Sequence, residues 1–258
     1  MREGDKPSWV DPNGPMGDAG ATMPGELRAP RADLAGHIES LPGPRAITAI
    51  VGAPGSGKSR LASEIAQALN ARREGSAMVV PMDGFHYDDA ILEARGLLAR
   101  KGAPDTFDVA GLLALIKRLK AVEPETAIPV FDRQLELSRG SAEIVPATVR
   151  HILLEGNYLL LSQDPWRALA QEFDLTVRLS VPEAELRARL TRRWETFGIA
   201  PAEITRRVEE NDLPNGRLLL KAARSLREVQ HLWDHLLNQA FLHHPSFCSG
   251  CSRKIVGL

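Results

Sequence analysis

The stretch GAPGSGKS, residues 52–59, follows the apolar run AITAIV and leads into KSRLASEIAQALNARR. It matches G-x-x-x-x-G-K-[ST], a pattern that works only between a buried strand and a helix, and so it constrains the fold more than any other part of the chain. The glycines let backbone N–H groups converge on phosphate oxygens with no Cβ in the way. The helix that follows aims its N-terminal dipole at the same anion. Gly52, Ala53, Pro54, Gly55, Ser56, Gly57, Lys58 and Ser59 are therefore read as a cradle for a nucleoside triphosphate. Lys58 would reach the β- and γ-phosphates, and the Ser59 hydroxyl would ligate Mg2+.

The rest of the chain repeats the strand–helix alternation. AITAIVG (46–52), AMVVP (77–81), AIPVF (127–131), HILLE (151–155) and DLTVRLSV (174–181) read as strands. AITAIVG is apolar on both faces, as a central parallel strand should be. Helical patterns lie at ADLAGHIESL (32–41), KSRLASEIAQALNARR, VAGLLALIKRLKAV (109–122) and PEAELRARLTRRW (182–194). In the second of these, Leu61, Ile65 and Leu69 recur every four residues. The implied fold is an α/β three-layer sandwich, a parallel sheet covered by helices on both faces through right-handed crossovers. Ligands in such folds sit at the carboxyl ends of the strands. From Leu213 onward the pattern is helical, with no closing strand expected.

Composition removes several classes. The net charge of −1 over 258 residues gives no global field for nucleic acid or an anionic membrane. No apolar stretch approaches the roughly 20 residues that a spanning helix needs. Residues 1–30 are rich in Pro and Gly, lack the apolar region of a signal peptide and carry several acids, so a disordered extension and a cytoplasmic location are expected. The globular domain is placed at 31–240 and a flexible tail at 241–258. The only two cysteines, Cys248 and Cys251, stand in that tail near His243 and His244. Zinc binding, a redox dithiol and a frayed end are the readings open to them.

A phosphate loop does not name the phosphate's destination. A GTPase should carry Asn-Lys-x-Asp, which does not occur. An ABC-type ATPase needs Leu-Ser-Gly-Gly and an Asp-Glu pair, whereas LSRGS (137–141) reads as loop and HILLEG offers Glu155 alone. The second strand ends in PMDGFHYDD (81–89), which would bring Asp83 to the carboxyl edge beside the phosphate loop. A carboxylate there can take or orient the proton of an acceptor hydroxyl. Capping of the next helix is its other reading. Phe85 and His86 offer surfaces for an acceptor.

Together, PMDGFHYDD, ARGLLARKGAPDTFDVAGLLALIKRL, IPVFDRQLELSR, HILLEGNYLLL and NDLPN (211–215) resemble the uridine kinase/pantothenate kinase/phosphoribulokinase family of P-loop kinases. The similarity spans about residues 46–220 and is greatest to a nucleoside-kinase-like branch, some members of which are labelled fructose-transport kinases. The resemblance implies an ATP- and Mg2+-dependent phosphotransferase acting on a hydroxyl of a nucleoside, sugar or pantothenate-like alcohol. It implies that Asp83 is the catalytic aspartate, that Glu155 supports Mg2+ directly or through water, and that RARLTRRWETFG (187–198) occupies the lid position. Arg189 and Arg193, four residues apart on one helix, would project together toward the transferring phosphoryl group, with a solvated basic helix face as their other reading.

Departures from the family pattern bear on the acceptor. Phe131 stands where uridine kinases have a tyrosine, and the histidine expected shortly before Arg139 is missing. Uridine is therefore disfavoured, and Asp132, Arg133 and Glu136 are read either as contacts for a hydroxyl-rich or charged small molecule or as surface salt bridges. Phe131, Arg133 and Arg139 join Asp83, Phe85 and His86 as acceptor-side candidates. A homodimer and a slowly hydrolysing nucleotide-binding regulator are the alternatives left open.

Overall fold

The computed structural model describes residues 26–219 and 254–257. Its elements begin with β1 (Glu26–Arg28), α1 (Arg31–Glu39), β2 (Ala46–Val51), α2 (Lys58–Arg72), β3 (Ala77–Pro81) and α3 (Asp89–Ala94). They continue with α4 (Val109–Lys120), β4 (Glu125–Asp132), β5 (Leu137–Pro146), β6 (His151–Gly156) and β7 (Leu175–Arg178). The last are α5 (Glu183–Thr196), α6 (Pro201–Arg206), helical residues 213–219 and β8 (Lys254–Gly257).

Six strands form one sheet in the order β1-β8-β7-β2-β6-β3, every pairing parallel. β2 and β6 lie side by side within it, each flanked by a strand on either side, and all six residues of each are buried. Their unbroken apolar runs follow from that position, since helices cover both faces. On one face Leu34 and Ile38 of α1 and Leu61, Ile65 and Leu69 of α2 pack on Ile50, Leu153 and Val177. On the other, Leu112, Ile116 and Leu119 of α4 pack on Ile47, Val80 and Ile152. Asp108 starts α4 by accepting from the Gly111 N–H at 2.9 Å, and three basic residues close its last turn, the arrangement that the helix dipole favours. The fold expected from the alternation, an α/β sandwich of P-loop type, is the fold observed.

Three elements differ from expectation. The strand read at 127–131 does not enter the parallel sheet; within β4 it pairs antiparallel with β5, forming a separate two-stranded hairpin. LSRGS, read as loop, is the first half of β5. The chain reverses because Asp132 Oδ1 accepts from the amides of Gln134 and Leu135, and Glu136 adopts φ 53°. β5 is exposed along most of its length, so it lacks the apolar signature by which a strand is recognised.

The third difference is a closing strand, β8, between β7 and the edge strand β1. Both are short and held by backbone ladders, which leave little trace in residue pattern. They lie inside the segments expected as tail and extension. Cys248, Cys251, His243 and His244 fall outside the described residues.

Candidate active site

The loop leaving β2 turns through Gly55 (φ 76°) and Gly57 (φ 91°), left-handed conformations that glycine adopts without strain. Gly57 precedes α2 and no side chain caps that helix, so its first amides stay open toward the loop. Lys58 and Ser59 are the first two residues of α2. The Ser59 hydroxyl donates to Glu155 Oε1 at 3.0 Å, and Lys58 Nζ lies 3.9 Å from Glu155 Oε2. The register brings them together, because Glu155 pairs with Ile50 of β2 on one side and Pro81 of β3 on the other.

Glu155 is buried, and its Oε2 accepts no hydrogen bond. Burial pushes its carboxyl above the ordinary range, with the Asp83 charge adding to this; Lys58 and the Ser59 hydroxyl oppose it. An orphaned carboxylate oxygen beside a hydroxyl and below an anion cradle is a hard-oxygen site, and it fits Mg2+. That ion keeps several waters and leans on phosphate oxygens, so it needs few protein ligands; no group of three or more His, Cys, Asp or Glu occurs among the described residues.

Beyond β3, Met82–Phe85 forms a tight helical turn that carries Asp83. Gly84 lies so close to the β4 backbone that a Cβ would collide with the Pro129 carbonyl oxygen and come within 2.7 Å of its carbon. The Ser138 hydroxyl, on β5, donates to the Gly84 carbonyl. The hairpin is thus seated on the turn. From its tip, Arg133 Nη2 donates to Asp83 Oδ2 at 2.8 Å. Arg139 pairs instead with Asp132 within the hairpin, at 3.3 Å.

His86 Nδ1 lies 2.8 Å from the Asp83 carbonyl oxygen, which can only accept, so Nδ1 carries the hydrogen and Nε2 is left as an acceptor. Burial holds the imidazole below its usual pKa and therefore neutral near pH 7, although the Asp83 charge opposes this. The ring packs between Phe107 at 4.0 Å and Phe131 at 4.9 Å. Phe107, Tyr158 and Trp166 meet edge to face behind it, with centroids 5.4–5.7 Å apart. The Tyr158 hydroxyl donates to Gly102 O at 2.6 Å and Trp166 Nε1 to Pro104 O at 3.2 Å, which fixes the KGAP loop and places Lys101. A surface cavity lined by Phe85, His86, Tyr87, Asp108, Pro129 and Ser138 opens beside the turn.

The lid segment bends over the loop from the other side. Arg189 Nη1 donates to Ser56 O at 3.2 Å while its Nε pairs with Glu185. Arg193 is partly buried, in the electrostatic reach of Arg133, Asp212 and Asp83; burial, then the like charge of Arg133, lower its pKa. Arg189 and Arg193 thus serve different neighbours, and Arg192 is exposed. The NDLPN stretch completes this wall. Trp194 Nε1 of α5 donates to Asp212 Oδ2 at 2.8 Å, which ties the NDLPN stretch to that helix, and within the stretch Asn215 Nδ2 donates to Asn211 Oδ1 at 3.1 Å. An apolar-walled cavity bounded by Gly52, Ala53, Leu179, Leu186 and Gly216 adjoins the phosphate loop.

No family model matches the chain. A protein of Schizosaccharomyces pombe named "Putative uridine kinase" is 33% identical over 180 residues, 66% of this chain and 76% of that protein. The pantothenate kinase of Shouchella clausii is 41% identical over 87 residues, 33% of this chain and 27% of that enzyme. A crystal structure from Silicibacter sp. TM1040, described as a "putative fructose transport system kinase", is similar with a TM-score of 0.70 and 42% identity, covering 75% of this chain and 95% of that one.

Proposed function

Because the chain belongs to the uridine kinase/pantothenate kinase/phosphoribulokinase-like family of P-loop kinases, we propose that it transfers the γ-phosphoryl group of ATP to a hydroxyl of a small metabolite, with Mg2+. One observation carries this reading. Two carboxylates stand at neighbouring strand ends with unlike partners, Glu155 against Lys58 and Ser59, and Asp83 against Arg133. A nucleotide switch has use for the first set only.

Each group then has a task. The loop amides and Lys58 hold the phosphate oxygens and leave the γ-phosphorus open for in-line approach. Ser59 and Glu155 would hold Mg2+, which would supply charge neutralisation on the phosphates. Asp83 orients the acceptor hydroxyl and takes its proton as the acceptor oxygen bonds to the γ-phosphorus; the bond to the bridging oxygen breaks and ADP leaves. Arg189 and Arg193 are the cations available to the charge that develops on the transferring group. Phe131, lacking a polar tip, and His86 with its free Nε2 shape an acceptor site unlike one built to read a uracil edge.

Asp83→Asn tests the assignment. Nucleotide affinity should hold while transfer to an acceptor falls about 10²–10⁴-fold, nearer the lower end because a loose transition state leans little on its base. Transfer at the wild-type rate would remove Asp83 from the acceptor role. Lost nucleotide binding would make it a ligand of the metal site instead.

A further inference from the structure

We propose that the acceptor carries an anionic group, a carboxylate or a phosphate, and that this group draws Arg133 off Asp83 and so frees the Asp83 carboxylate for the hydroxyl. The inference rests on the phosphotransfer reading above. It starts from a conflict within the site: the residue that must receive the hydroxyl is already engaged. Asp83 Oδ2 accepts from the Arg133 guanidinium at 2.8 Å, and a guanidinium does not give up its proton. While the pair stands, that oxygen is filled and is not open to the acceptor hydroxyl.

The two partners are not equally fixed. Asp83 is 20% exposed and lies on a turn pinned by the hairpin, whereas Arg133 is 51% exposed at the hairpin tip. The arginine is therefore the partner that moves. A neutral hydroxyl offers it nothing to replace a charged partner, and a second anion does. Asp132, the nearest acid along the chain, is already taken up by Arg139 and by the amides of its own turn.

The surroundings favour an anion at the same place. Lys101 Nζ and the Arg133 guanidinium both lie over the Phe131 ring, at 5.4 and 6.0 Å from its centre. Arg193 feels the repulsion of Arg133 more strongly than the attraction of Asp212 or Asp83. Like charges gathered over one aromatic platform repel each other until an anion joins them. Lys101 is partly balanced by Asp89, which leaves Arg133 as the cation that an incoming group would engage. An acceptor of the right charge thus unlocks its own base, and a neutral alcohol leaves Asp83 capped.

The test uses the full chain with γ-labelled ATP, Mg2+ and a pooled metabolite extract split on an anion exchanger at neutral pH. Label should pass to compounds of the retained fraction about 10- to 100-fold faster than to the unretained one, the ratio expected for one charge-assisted contact. Prior treatment of the retained fraction with a phosphatase, removed before assay, separates the two sources: lost acceptor activity assigns a phosphate, persisting activity a carboxylate. Label passing only to the unretained fraction overturns the proposal and leaves the kinase reading standing. Label passing to neither removes that reading and this proposal with it. In a second arm, Arg133→Gln should raise the half-saturating amount of the active fraction about tenfold or more, with affinity for a non-hydrolysable ATP analogue unchanged and partial recovery in Arg133→Lys. An equal loss of nucleotide affinity would assign Arg133 to the nucleotide and overturn the proposal.

Discussion

Glu155→Gln separates what Glu155 does for the reaction from what it costs the fold. The change keeps the side chain's shape and removes a buried charge. The attraction lost is that to Lys58 Nζ at 3.9 Å, about 4 kcal/mol at an effective dielectric of 20. The cost relieved is desolvation of a carboxylate with an unpartnered Oε2, also several kcal/mol. These are of similar size, and the upward direction of the Glu155 pKa, with burial as its first cause, points to desolvation as the larger. The variant should therefore be more stable than wild type without metal or nucleotide, by on the order of 1 kcal/mol, or about 2–4 °C in Tm for a chain of this size.

The pH dependence fixes the sign. A carboxyl whose folded pKa is raised contributes stability that is fully present below its ordinary value of 4.5 and is lost as pH rises through the higher folded value. The gap in Tm between variant and wild type should thus be smallest near pH 4.5 and widen toward pH 7. Thermal melts in EDTA across that range measure it. With Mg2+ and ATP the order should reverse, since the variant lacks the carboxylate proposed to hold the ion. A metal-free variant that melts lower than wild type at pH 7, with a gap that does not change toward acid, would refute the reasoning. It would mean that the Lys58 pairing outweighs burial.

Lys58→Ala should lower turnover by about 10²–10³-fold and weaken ATP binding while the circular dichroism spectrum stays native; an unchanged turnover number would exclude this loop as the catalytic phosphate site. Gly84→Ala should cost about 1–3 kcal/mol, because the new methyl group meets the Pro129 backbone and not a side chain that can rotate away. Its transfer rate should fall further than its Tm implies, since the hairpin carrying Arg133 must lift off the turn carrying Asp83. A variant with wild-type Tm and rate would show that the hairpin yields freely.

The parts of the site legible in sequence are those written in one short stretch. GAPGSGKS carries its own geometry in glycine positions and flanking patterns, and each of the strands 46–51, 77–81 and 151–156 is an apolar run that only a covered parallel sheet explains. Asp83 and Glu155 were visible as charges closing such runs. Contacts across long separations were not. Ser59 meets Glu155 across 96 positions and Arg133 meets Asp83 across 50, and no local pattern encodes either. The hairpin was missed because its outer strand is polar and exposed, so period and hydrophobicity carry no signal there. Arg139 looked equivalent to Arg133 in sequence, and only the reversal at Asp132 shows that one stays within the hairpin while the other reaches the turn.

The seating of the hairpin has a consequence for how such a site changes its acceptor. The phosphate cradle and Glu155 are tied to the central strands β2 and β6, where a shift would disturb the core. Asp83 sits one strand away, on a turn whose position is set by Pro129 and Ser138 of the hairpin. Phe131 and Arg133, the residues proposed to face the acceptor, come from that same hairpin. On the proposed reading, recognition of the acceptor and placement of its base would both depend on one element that lies outside the main sheet. A substitution at the hairpin tip alters which molecule fits and, through the Arg133–Asp83 pair, whether the carboxylate is free to act on it, while the nucleotide side is left untouched. On that reading, exchanging residues of this hairpin would change the acceptor while the phosphate-binding frame stays as it is.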